Sequence, residues 1–260
     1  LKSPIKWVGG KSKLVDKLIP LIPKHRCYVE VFGGAGWLLF AKEENTSKVE
    51  ILNDYDSGLM NFWSVIQNAP DQFLDSFEYT LVSRELFDIY KKQWKTGSID
   101  DCIEKAHIFY YLVNAGFGSD MKNPVFGTKK QDRNRLRLDQ LDDSIKLAHK
   151  RLIKTTIEHL DFKKCVNKYD DEQTFFYFDP PYRKTKPYAV SFNDKDYETL
   201  AVVCKNMNGK FLMTINNDEY IKELFKDFNI MTHEIYYSVC KTQNGRQDFK
   251  ELIITNYDIV

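Results

Sequence analysis

No Cys-x-x-Cys pair occurs, and the five cysteines, Cys27, Cys102, Cys165, Cys204 and Cys240, lie far apart in an odd count. That argues against a disulfide framework and fits reduced thiols in a cytoplasmic protein. The five histidines show no His-Glu-x-x-His or other zinc-like spacing, so no metal site is expected. No apolar run reaches membrane-spanning length and no secretory leader is legible, so no membrane partner is expected. Net charge is only +1, so no global basic field advertises a polyanion. Repeats and low-complexity linkers are also absent. The first residue, Leu1, points to a chain that has lost its start.

What is present is ordinary in bulk and uneven in detail. The 260 residues suffice for one large domain, or for a domain with a sizeable insertion. Hydrophobic residues at 43% and charged residues at 29% suit a globular protein, and 14% aromatics can supply both a core and a stacking surface. Charge is local. Residues 122–154 hold ten Lys/Arg against four Asp/Glu, whereas 71–104 hold eight acids against four bases. A basic stripe of this kind points to a polyanion better than the total does.

Apolar runs alternate with helical patterns at both ends of the chain. "CYVEVF" (27–32) reads as a strand leading through a glycine turn to a helix from about Trp37. "KVEILND" (48–54) reads as a second strand with a helix after Ser57. "KTTIEH" (154–159), "TFFYFD" (174–179) and "KFLMTI" (210–215) continue the series. "HEIYYSV" (233–239) and "KELIITN" (250–256) close it as an antiparallel pair, with Asn244-Gly245 as a turn signal. Strands alternating with helices predict an α/β sheet covered on both faces. Residues 60–150 break the rhythm with helices near 83–95 and 100–114, which predicts a mainly helical insertion.

Three stretches carry chemistry. "KWVGGKSK" (6–13) ends like a phosphate loop, but Ile5 stands where the first glycine belongs and no strand has room to precede it. A nucleoside triphosphatase is thereby excluded, and "KSKLVDKLIPLI" reads as an amphipathic helix after a glycine turn. "VFGGAGWL" (31–38) follows a strand and opens a helix, the ligand edge of a doubly wound sheet. Asp54 ends the next strand 20 residues after Gly34, where a carboxylate can accept hydrogen bonds from ribose hydroxyls. Each alone could be a tight turn or a helix cap; together they suggest a nucleoside ligand. "FFYFDPPY" (175–182) sets Asp179, Pro180 and Tyr182 at the end of a buried strand. A carboxylate, a carbonyl on a proline-stiffened backbone and a flat ring make a receptor for an exocyclic amine on an aromatic base.

"KWVGGKSKL", "VFGGAG", "ILND" and "FDPPY", in this order, resemble the Dam-type, alpha-class DNA adenine-N6 methyltransferases that use S-adenosylmethionine. The resemblance implies a Rossmann-like methyltransferase sheet with an inserted, mainly helical target-recognition domain. The catalytic domain would span 1–62 and 154–260, with the DNA-binding insertion over 63–153. Trp7, Lys11, Phe32, Gly33, Gly34, Gly36, Asp54 and Asp179 would line the cofactor pocket, with Lys11 on the methionine carboxylate and S-adenosylhomocysteine as the product. Asp179, Pro180 and Tyr182 would be catalytic, with the first two accepting the N6 hydrogens of a flipped adenine and Tyr182 stacking on its ring. The expected partner is double-stranded DNA, met by a cytoplasmic, bacterial or phage-encoded monomer, with a restriction endonuclease compatible beside it.

For DNA contact, the resemblance gives Lys6 a base edge, and Asn114, Phe117 and Ser119 a reading hairpin within "NAGFGS" (114–119). That hairpin is shorter than in GATC-specific relatives and lacks their basic residue after the turn. "KKQDRNRLR" (129–137) offers Lys129, Lys130, Arg133, Arg135 and Arg137, mostly to phosphates, although a solvated helix start has the same composition. "NGRQDF" (244–249) is a further loop over the DNA. The alternatives are a cytosine-N4 methyltransferase, which more often carries Ser before Pro-Pro, and a DNA-binding protein with a silent pocket. An RNA or a free nucleotide as methyl acceptor also stays open, and the basic insertion favours duplex DNA.

Overall fold

The structure is a computed structural model and describes residues 1–7, 11, 14–128, 135–184, 192–235 and 249–259. Among them are β1 (Cys27–Glu30), β2 (Val49–Asn53), β3 (Thr155–Glu158), β4 (Thr174–Phe178), β5 (Lys210–Asn216), β6 (Asn229–Ile235) and β7 (Phe249–Thr255). They form one seven-stranded sheet in the order β3-β2-β1-β4-β5-β7-β6. The first five pair in parallel, and β7 runs antiparallel to both β5 and β6. Every residue of β4 is buried, as expected of a central parallel strand covered on both faces.

Alternation along the strands sends neighbours to opposite faces and builds two cores. On one face Tyr28, Leu52, Phe175, Tyr177 and Leu212 pack with α1 (Val15–Leu18), α2 (Trp37–Ala41), α3 (Ser57–Asn68), α4 (Pro70–Asp75), α5 (Arg84–Thr96), α6 (Cys102–Ala115) and α7 (Leu141–Leu152). On the other, Val29, Ile51, Phe176, Phe178 and Met213 pack with α8 (Phe162–Tyr169), α9 (Asp194–Asn206) and α10 (Glu219–Leu224). The helices between β2 and β3 therefore share an apolar core with the sheet. Side-chain caps from Asp56, Ser83 and Asp101 start α3, α5 and α6 by accepting backbone N–H groups that have no intrahelical partner. His107 of α6 stitches this bundle: its ring nitrogens meet Ser76 Oγ at 2.9 Å and the Tyr90 hydroxyl at 3.0 Å.

Two expectations are corrected in extent. Among the described residues of the stretch 11–22, the α-helix covers Val15–Leu18 and gives way to a 3-10 turn at Ile19–Leu21, since Pro20 has no N–H to continue an α-helix. The strand read at 233–239 begins at Asn229, where its pairing with Thr255 of β7 starts. The Asn244-Gly245 turn lies outside the described residues. Cys27, Cys102, Cys165 and Cys204 are free thiols. Among the described residues no helix is long and apolar enough to cross a membrane.

Candidate active site

The strand order reverses between β1 and β4, and the crevice beyond their carboxyl ends is where an open α/β sheet takes its ligand. Register brings the candidates there. Glu30 pairs with both Leu52 and Tyr177, so Phe32, Asp54 and Asp179, each two residues further on, emerge at one level. Phe178 pairs with Met213, which sets Asp179 beside Thr214.

The turn after β1 is built around Gly34. Its φ of +50° lies in the left-handed region, and a Cβ there would stand 2.9 Å from Trp7 Cδ1. Only glycine meets both demands without strain. Gly34 N–H donates to Asp54 Oδ2 at 2.9 Å, and its carbonyl accepts the Trp63 indole N–H at 3.0 Å. Gly33 lies against Leu52 and Asn53 of β2, and Gly36 opens α2. Phe32 stacks on Phe162 with centroids 5.8 Å apart. Asp54 Oδ1 also accepts the Asp56 N–H at 3.0 Å, yet burial outweighs these bonds and pushes its pKa up to about 6.

Asp179 is the second pole. Lys11 Nζ lies 2.7 Å from its Oδ1 and the Thr214 hydroxyl donates to that same oxygen at 3.1 Å. Among the described residues nothing bonds Oδ2, and the side chain keeps 21% exposure. Burial raises the Asp179 pKa, while Lys11 and Thr214 oppose the rise. The Lys11 ammonium also stands 3.9 Å from Glu251 Oε1 and 4.4 Å from the Tyr182 ring centroid. The structure sets the Lys11 charge between two carboxylates of the protein.

Beneath the glycine turn lies a buried charge cluster. Glu30 accepts the Tyr28 hydroxyl at 2.8 Å and the Leu39 N–H of α2. Glu50 receives Lys42 and Arg151, each at 2.5 Å, and Arg151 also donates to the Leu39 carbonyl at 2.9 Å. The cluster ties α2, and with it the turn, to β1, β2 and α7. Burial pushes the Glu30 carboxyl up to about 7.

The remaining candidates sit on the helical side. Residues 115–127 form a narrow hairpin: Phe117 N–H donates to the Val125 carbonyl at 2.6 Å and Gly127 N–H to Ala115 at 2.9 Å. Asn114 and Ser119 are buried and bond inward, to the Tyr110 and Val113 carbonyls. The hairpin presents two apolar side chains, Phe117 at 62% and Val125 at 58% exposure, and the Arg135 guanidinium lies 4.9 Å over the Phe117 ring. Lys6 Nζ reaches the Arg135 carbonyl at 3.1 Å, and Arg137 pairs with Asp139 at 2.7 Å. Lys129, Lys130, Arg133 and most of 244–249 lie outside the described residues. Sequence reasoning missed Thr214, Glu251 and Glu30; the signal for Glu30 and Thr214 was one polar residue within an apolar strand run, while Glu251 follows Lys250 at the start of one.

A sequence-family profile described as D12 class N6 adenine-specific DNA methyltransferase matches residues 7–239. The chain belongs to that family. It is similar to the type II methyltransferase M1.LlaDCHI of Lactococcus lactis subsp. cremoris, at 27% identity over 97% of this chain and 94% of the relative. Type II methyltransferase M.CviBI of Paramecium bursaria Chlorella virus NC1A is 26% identical over 99% of this chain and all of its own. A DNA adenine methylase of Haemophilus influenzae is 22% identical over 96% of this chain and 91% of its own. The chain is thus a DNA adenine methyltransferase, which decides the base in favour of adenine over cytosine and implies S-adenosylmethionine as the general methyl donor.

Proposed function

We infer that this enzyme draws one adenine out of duplex DNA and methylates its N6 in the crevice between the glycine turn and Asp179. The observation that carries the reading is the division of labour on Asp179. Lys11 and Thr214 hold Oδ1, so Oδ2 is left to accept one N6–H. The Pro180 carbonyl accepts the other. Two acceptors on one amino group favour a pyramidal nitrogen, whose lone pair is no longer delocalised into the ring. Burial raises the carboxyl's pKa and Lys11 and Thr214 oppose that rise, in the direction of the ionised form that the acceptor role requires. Tyr182 is the ring the base stacks against.

The residues fit S-adenosylmethionine. Asp54 is half-buried, and its backbone donors, the Gly34, Tyr55 and Asp56 N–H groups, leave part of the carboxylate's acceptor capacity for a ribose hydroxyl. Gly34, without a Cβ, lets the Trp7 indole lie close against the turn. Asp54 would hold the ribose hydroxyls, with Phe32, Gly33 and Gly36 shaping the wall. The cofactor, when bound, supplies a methyl group on a sulfonium. The protein's own contribution is positioning and electrostatics.

Residues 63–153 are assigned to target recognition. Phe117 would wedge at the extruded base, with Lys6, Arg135 and Arg137 near the backbone or a base edge. The test is Asp179→Asn. Methyl transfer to duplex DNA should fall by at least about 100-fold while circular dichroism and cofactor binding persist. Retained turnover would remove Asp179 from the chemistry. Mapping N6-methyladenine in cells otherwise lacking it would give the site.

A further inference from the structure

The Asp-Pro-Pro-Tyr turn has few soft torsions, and the structure holds those few. The rings of Pro180 and Pro181 fix φ, and Asp179 and Pro180 each precede a proline, which confines them to extended backbone. The first free rotation is therefore about ψ of Pro181, which swings the Pro181 carbonyl and the whole of Tyr182. The Tyr197 hydroxyl donates to that carbonyl at 2.5 Å. Tyr197 belongs to α9, is 1% exposed and packs edge-on against Phe192.

A second clamp follows Tyr182 at once. Asn216, the last residue of β5, accepts the Arg183 N–H at 3.0 Å and donates back to the Arg183 carbonyl at 3.1 Å. One side-chain amide thus acts as a strand partner for a loop residue. The Arg183 guanidinium adds ion pairs to Asp194 and Asp218, at 2.8 and 3.2 Å. The carbonyls of Pro181 and Arg183 are thereby committed to the scaffold. Among the described residues the Pro180 carbonyl between them and Asp179 has no hydrogen-bond donor.

We propose that Tyr197 and Asn216 are positioning residues that hold Tyr182 from both sides, so that its ring and the Pro180 carbonyl keep one orientation toward the base. This rests on the adenine reading of the pocket given above. Neither residue touches the reacting atoms. Each removes a rotation that would let the acceptor pair and the stacking ring drift apart, and drift of about 1 Å can cost far more than one hydrogen bond.

The full chain is compared with Tyr197→Phe, which keeps the buried ring, and with Asn216→Ala. Both variants should speed amide hydrogen exchange in a peptide spanning 182–184. Both should lower kcat about tenfold while KM for S-adenosylmethionine stays within about twofold. With 2-aminopurine replacing the adenine that the parent methylates, the fluorescence change on binding should shrink. Unchanged exchange, or kcat within twofold of the parent, overturns the proposal; so does a loss of cofactor affinity that matches the loss of kcat, since that is general damage. A parent that moves no methyl group to adenine N6 would overturn the functional reading instead, and the exchange result would still decide whether these two residues hold the turn.

Discussion

Glu30 and Asp54 are carboxyls whose burial favours the protonated form, and the two have different consequences. For Glu30, raised to about 7, the native state holds a proton that the unfolded chain releases from about 4.5 upward. Stability therefore falls as pH rises through that window and stays lowered above it. Glu30→Gln keeps an oxygen for the Tyr28 and Leu39 donors and cannot ionise. Urea midpoints at pH 5 and pH 8 should differ less in that variant, by roughly 1–3 kcal/mol of unfolding free energy. Asp54 titrates near 6, so cofactor affinity measured by calorimetry should weaken as pH falls through 6. Asp54→Asn should lose that pH dependence together with about tenfold in affinity. Asp54 and Asp179 were legible because each ends an apolar run, the position from which a strand delivers a side chain to the crevice. Thr214, Glu251 and Glu30 were not, because they acquire meaning only when register sets them beside Asp179, Lys11 and α2.

Among the elements, the turn from β1 into α2 carries the most constraint. Gly34→Ala would add a methyl 2.9 Å from the Trp7 ring at a left-handed φ, a cost of about 1–2 kcal/mol before any repacking. The melting temperature should drop, and cofactor affinity should drop with it, because Trp7 or the turn must shift; a variant with parental affinity would show that the turn does not shape the pocket. Strand existence was readable throughout, since β1, β2, β4 and β5 are runs of apolar residues with turn signals at their ends. Extent was not. Pro20 cut a helix whose apolar spacing continues past it, and β6 starts at Asn229 because its partner β7 extends to Thr255. Helix periodicity also hides how deep α6 sits: its residues from Ala106 to Ala115 are all buried, so Asn114 reads as a surface polar group in sequence and turns inward in the fold.

At the scale of the molecule, a net charge of +1 predicts weak long-range steering, and DNA affinity then depends on local cations. Binding should weaken steeply with salt, and if Arg135 contacts a phosphate, Arg135→Ala should reduce the log–log slope by about one; an unchanged slope would leave its guanidinium to the Phe117 ring alone. The helices between β2 and β3 and one face of the sheet pack around the same buried side chains, Phe109, Tyr111 and Ile145 with Leu52 and Tyr177 among them. On the proposal that these helices read the DNA, retargeting the enzyme by transplanting them from a cousin would open a seam through the interior, and the host strands would have to be re-tailored along with the graft.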